Sequence, residues 1–146
     1  MDVEGTKTLE TGVPTTYFID YPLELPRFCF DSFGLHVHIS KEELKKLSEE
    51  DIFDLMKKRK VALENKTNKR VRYFRPGWLI DDEKIRRSAE KLGLEIIRTN
   101  VRYYTAWLNR KKIIFITHSY DSKFFIKLLV FYLKLFHPLA EWKVFK

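Results

Sequence analysis

Phe33-Gly34-Leu35-His36-Val37-His38-Ile39, followed at once by Ser40-Lys41-Glu42-Glu43, governs how the rest of the chain is read. The first seven residues suit a strand, and they end where a serine is followed three residues later by a glutamate. A serine hydroxyl in that place accepts from the backbone of the third helical residue while the glutamate reaches back, which starts a helix. A strand handed directly to a helix is the unit of an α/β fold. On an extended chain His36 and His38 fall on one face, so both imidazoles can reach a single metal ion.

The same alternation continues in both directions. Residues 15–20 (TTYFID) are β-branched and aromatic and predict a strand. Ser48 opens a second helix, with Ile52, Leu55, Met56 and Ala62 near helical spacing, and residues 65–68 predict a polar turn. Residues 71–74 predict the next strand, broken by Pro76-Gly77. Asp81 is then expected to cap a helix that turns Ile85, Ala89 and Leu92 inward, with Gly93 as its stop. Residues 94–97 and 112–117 predict two further strands, Asp121 or Ser122 caps a long helix stopped by Pro138, and residues 142–145 predict a final strand. This order predicts a single α/β domain over residues 1–146 with mostly parallel strands and its chemistry at strand ends.

Composition narrows the function classes. An apolar fraction of 45% and an aromatic fraction of 15% exclude a disordered chain. Cys29 is the sole cysteine, which excludes an intramolecular disulfide framework and a thiolate metal cluster. The net charge of +8 suits an anionic partner. Its densest run, Lys57, Lys58, Arg59 and Lys60, with Lys69, Arg70 and Arg72 beyond, predicts a solvated helix and loop surface. A basic nucleic-acid-binding module is the reading from a different class, but no known motif accompanies the run, so no specific nucleic acid is expected. The first ten residues are polar and acidic, unlike a signal peptide, and the longest apolar run, residues 124–136, is too short to span a bilayer. A soluble, cytoplasmic protein is expected.

Four constellations can carry chemistry. The first is the His36/His38 pair. The second is Asp2-Val3-Glu4, two carboxylates on one strand face, one able to ligate a metal while the other acts as a base on water. The third is Tyr73-Phe74-Arg75-Pro76-Gly77-Trp78, a turn expected to present a guanidinium and an indole at a strand's end. The fourth is Ile116-Thr117-His118-Ser119-Tyr120-Asp121, a histidine leaving a strand with an acid nearby. Each has a plainer reading: a structural histidine pair, solvated terminal acids, a surface turn and a loop histidine.

The order of these motifs resembles the polysaccharide deacetylase family, the NodB-type domain. Asp2-Val3-Glu4-Gly5 resembles its opening acidic motif, and Gly12-Val13-Pro14-Thr15-Thr16-Tyr17-Phe18 resembles its "G-V-P-A-T-F-F" strand. Gly34 to Ser40 resembles its "H-x-x-x-H" motif in part, with Ser40 at the second histidine position and His38 as the substitute. Phe74 to Gly93 resembles "F-R-P-P-x-G" followed by a helix ending in "L-G", and Ile114 to His118 its late histidine strand. The resemblance implies a deformed (β/α) barrel-like parallel sheet, the glycoside hydrolase/deacetylase barrel, here truncated. It implies a metal-dependent hydrolase of carbohydrate metabolism that cleaves a C–N bond and removes acetyl groups from an N-acetylated sugar polymer. By motif position Asp2 is the base, Arg75 orients it, and His118 is the general acid. Glu4, His36 and His38 hold a divalent metal, zinc by the family's habit, and Trp78, Tyr103 and Trp107 contact the glycan. A catalytically degenerate, glycan-binding relative is the alternative within the same family.

The last long helix carries a separate expectation. Apolar residues cover nearly its whole circumference, and Lys123, Lys127 and Lys134 fall on one narrow stripe. A homodimer through residues 123–136 is expected, with a peripheral membrane contact as runner-up and packing within the chain as the plain alternative.

Overall fold

The computed structural model describes residues 2–3, 16–20, 32–98 and 123–136. Five strands, β1 (Asp2–Val3), β2 (Thr16–Ile19), β3 (Ser32–Val37), β4 (Tyr73–Pro76) and β5 (Glu95–Ile96), form one sheet in the order β1-β2-β3-β4-β5. Every neighbouring pair is parallel. Helices α1 (Lys41–Lys46) and α2 (Glu49–Thr67) join β3 to β4, and α3 (Glu83–Lys91) joins β4 to β5. A last helix, α4, runs over Lys123–Phe136.

Local chemistry accounts for these boundaries. Ser40 and Ser48 each form a reciprocal capping box, with Glu43 and Asp51 respectively. Such caps hold orphan N–H groups at helix starts and stabilise by about 1 kcal/mol each. Gly93 stops α3 in the left-handed conformation, φ +64°, where a side chain would be strained.

The core lies between the sheet and α2. Phe33, Leu35 and Val37 of β3 are buried, and so are Gly34 and His36 on its other face, as in a parallel strand covered on both sides. Ile52 and Met56 of α2 are fully buried, and Leu63, about two turns beyond Met56, joins the same cluster. Ile85 and Ala89 of α3, which packs against both α2 and β5, belong to the same cluster. Lys84 Nζ donates at 2.8 Å to the carbonyls of both Leu44 and Leu47, tying α3 to the end of α1.

Three expected boundaries are corrected. The polar stretch 65–68 is not a turn, because α2 continues through it to Thr67 and ends at Asn68 in the left-handed conformation. Residues 71–72 precede the strand rather than open it, since the Val71 amide donates to Glu64 Oε1, and β4 runs on to Pro76. Asp82, not Asp81, caps α3, its side chain accepting from the Lys84 amide. Asp81 is held instead by Arg98 and Arg86, whose hydrogen bonds bring its pKa down to about 2. The strands expected at 112–117 and 142–145, and the stop at Pro138, lie outside the described residues.

Candidate functional site

Parallel strands put their C-terminal ends on one edge of a sheet, and register fixes what meets there. Ile19 pairs with Leu35, and His36 pairs with Arg75. Asp20, the residue after Ile19, is therefore level with His36 and Arg75 in a row across β2, β3 and β4. The backbone of Asp2 pairs with Phe18, two residues short of that row.

The two histidines, His36 in the row and His38 just beyond it, are fixed by different acceptors. His36 is 1% exposed, and its Nδ1 lies 2.8 Å from the Arg75 carbonyl oxygen. A carbonyl only accepts, so Nδ1 carries the proton and Nε2 the lone pair. Burial lowers the His36 pKa to about 3, against the opposing pull of that backbone bond, and nearby His38 and Arg75 lower it further. The imidazole is neutral at physiological pH. His38, just past the end of β3, brings its Nδ1 to 2.9 Å from Asp20 Oδ2, where the carboxylate must accept. The two rings meet edge to face with centroids 4.4 Å apart.

Asp20 is held from a second side. Arg59, in the middle of α2, places Nη1 2.6 Å from Asp20 Oδ1. This corrects part of the solvated reading of residues 57–60: Arg59 is turned to the strand ends, and Lys60 pairs with Glu64 at 2.8 Å. Sequence reasoning missed both Asp20 and Arg59 as site residues. The available signal was an acid closing the apolar run Phe18-Ile19, at the end of a parallel strand.

The turn after β4 completes the cluster. Arg75 stands at the end of β4, level with His36, and is buried because its place in the strand turns it into the protein. The indole is presented. Trp78 is 66% exposed, lies 4.9 Å from the His38 ring between centroids, and adopts φ 50°, ψ 17°. That left-handed conformation costs a non-glycine residue about 1–2 kcal/mol. Gly77 permits the turn, since a Cβ there would sit 2.3 Å from His38 Cδ2.

The structure thus brings together His36, His38, Arg75 and Trp78 at one end of the sheet. Glu4, Tyr103, Trp107 and His118 lie outside the described residues, and only the backbone of Asp2 is described. A histidine that ligates a metal through one nitrogen ordinarily lends the other N–H to a carbonyl or carboxylate. Both His36 and His38, in its neutral form, meet that pattern, so this pair fits two ligands of a divalent ion. Catalytic zinc takes three protein ligands, and no group of three His, Cys, Asp or Glu suited to a metal occurs among the described residues. Asp20, with its oxygens engaged by His38 and Arg59, fits an orienting role better than a ligand's.

No family model matches this sequence, and no curated protein does. Solved structures do resemble it. A family 4 carbohydrate esterase (CE4) pseudoenzyme from Bacillus anthracis has a TM-score of 0.64 at 15% identity over 85% of this chain. A mutant of that pseudoenzyme with restored enzymatic activity has the same TM-score at 16% identity. This chain spans about half of that protein's length, 53% for the mutant. A family 4 carbohydrate esterase from Streptomyces lividans, in complex with acetate, has a TM-score of 0.64 at 8% identity, covering 94% of this chain and 86% of its own. At these identities the likeness shows the fold alone: a mixed α/β protein with a parallel sheet, similar in structure to these family 4 carbohydrate esterases.

Proposed function

We propose that this protein is a metal-dependent hydrolase that removes acetyl groups from an N-acetylated sugar polymer. The observation that supports it is that both Nδ1 atoms meet an oxygen of the chain, the Arg75 carbonyl at 2.8 Å from His36 and the Asp20 carboxylate at 2.9 Å from His38, and in a neutral ring so held Nε2 carries the lone pair. His36 and His38, with Glu4, would hold the ion, and nitrogen and carboxylate donors suit zinc. When bound, such an ion polarises the acetyl carbonyl as a Lewis acid. Asp2 takes the proton of the attacking water, a C–O bond forms, the C–N bond breaks, and His118 protonates the departing amine. Arg75 orients Asp2, Asp20 holds the His38 ring, and Trp78, Tyr103 and Trp107 receive the glycan. The same proposal includes closure of the sheet into a truncated, deformed (β/α) barrel, one domain over 1–146, and a cytoplasmic site of action.

A second reading, catalytically degenerate glycan binding, is favoured by Trp78. An exposed indole in a strained conformation beside polar side chains is a stacking platform for a sugar ring whether or not a metal is held. The experiment is to strip the protein of metal, restore zinc or cobalt, and follow acetate release from an N-acetylated chito-oligosaccharide alongside sugar affinity. Release that depends on the metal and is lost in His36→Ala supports the hydrolase. Sugar binding that depends on Trp78, with no acetate released under any divalent metal, establishes the second reading instead.

A further inference from the structure

The outward side of α4 plays no part in the proposed site. Ile126, Leu129 and Leu133 are buried on one side of this helix. At 100° per residue, Phe124, Leu128, Phe131 and Leu135, spaced by four, three and four, line up on the opposite side. All four are exposed, from 48% at Leu128 to 75% at Phe124. Lys127 and Lys134, seven residues apart and exposed, run along one border of that stripe. The helix contains no acidic residue. Its 14 residues extend about 21 Å, and no helix among the described residues is long and apolar enough to cross a membrane.

We infer that this face docks on an anionic lipid surface, with α4 lying in the plane of the interface. Phenylalanine and leucine enter the boundary between headgroups and acyl chains, while Lys127 and Lys134 extend their stems along the stripe and reach lipid phosphates. Charge selects this occupant over a second copy of the chain. The 4-3-4 spacing also suits a helix-on-helix seam. In an antiparallel self-pair, however, the lysine border meets its own image. In a parallel one it meets the border of Phe125 and Tyr132, and neither offers a carboxylate. An anionic bilayer supplies the missing counter-charge, and the net charge of +8 draws the protein to it from a distance.

Co-sedimentation with vesicles of equimolar phosphatidylglycerol and phosphatidylcholine, against vesicles of phosphatidylcholine alone, tests the inference. The wild-type protein should partition to the anionic vesicles and be released by raised salt. Lys127→Gln with Lys134→Gln should weaken partition on the order of tenfold or more. Leu128→Ser with Phe131→Ser should abolish it, with an unchanged far-ultraviolet circular dichroism spectrum because both residues are exposed. No partition to anionic vesicles, or undiminished partition by the serine variant, overturns the inference. So does a micromolar dimer that the serine variant dissociates.

Discussion

Arg59 and Asp20 join the middle of α2 to the end of β2, guanidinium Nη1 to carboxylate Oδ1 at 2.6 Å across 39 residues of sequence. The pair is four-fifths buried, and the other carboxylate oxygen holds His38. Removing either member takes a charged hydrogen-bond partner from a largely buried group. We expect Asp20→Asn to cost about 1–3 kcal/mol in urea unfolding, and the Asp20/Arg59 double-mutant cycle to give a favourable coupling. Additive single effects would show that the two act independently. The same Asp20→Asn change should lower the affinity for zinc by about 10–100-fold, measured by calorimetry, because the His38 ring loses its anchor.

Protonation of His36 should unfold the protein gradually in mild acid. Its folded pKa, about 3, is below the ordinary value of 6.5, so between those two values the unfolded chain binds more protons than the folded one. Stability therefore rises with pH through that window; the contribution is complete above pH 6.5 and is lost as pH falls towards 3. The expected slope from this one group approaches about 1.4 kcal/mol per pH unit inside the window. Urea midpoints at a series of pH values, compared with those of His36→Gln, should show the slope in the wild type and its loss in the variant.

Gly77→Ala should disturb His38 more than the fold. Its Cβ would meet the His38 ring at 2.3 Å, so the ring or the turn has to move. The expected cost is about 1–3 kcal/mol of stability. Nuclear magnetic resonance of the imidazole protons should register a shift at His38, and metal affinity should fall with it. An unmoved His38 resonance would refute the contact.

At Trp78 the usual order of alanine and glycine should reverse. An exposed position normally favours alanine, because glycine frees the unfolded chain. Here φ is 50°, where any Cβ is strained. Trp78→Gly should therefore be more stable than Trp78→Ala by about 1 kcal/mol, read from thermal unfolding, while both lose sugar binding.

Much of the scaffold was legible because its signals are local. The capping boxes at Ser40 and Ser48 and the stop at Gly93 each act within a few residues, so spacing alone locates them. Asp81 and Asp82 were not separable that way. Both are good caps, and the choice rests on Arg98, 17 residues downstream, which holds Asp81. The site was legible only where a residue announces its chemistry. His36 and His38 form a pair in the text, whereas Asp20 meets His38 across 18 residues and Arg59 across 39. A single sequence does not reveal which acid meets which cation over such distances. The burial of Arg75 was not legible for a related reason: whether a strand residue faces solvent depends on what covers the sheet, and β4 is covered.

The sheet runs in the order in which it is synthesised. β2 lies beside β1, β3 beside β2, and so on to β5, each new strand parallel to the one before it. During translation each of these five strands finds its template already made, and among the described residues no strand has to be inserted between two that are already paired. The long interval between β3 and β4 is filled by α1 and α2, whose capping boxes let both helices nucleate locally while β4 is still emerging. On the side where the sheet grows, the edge at any moment is the newest strand, and its open amides are those the next strand covers.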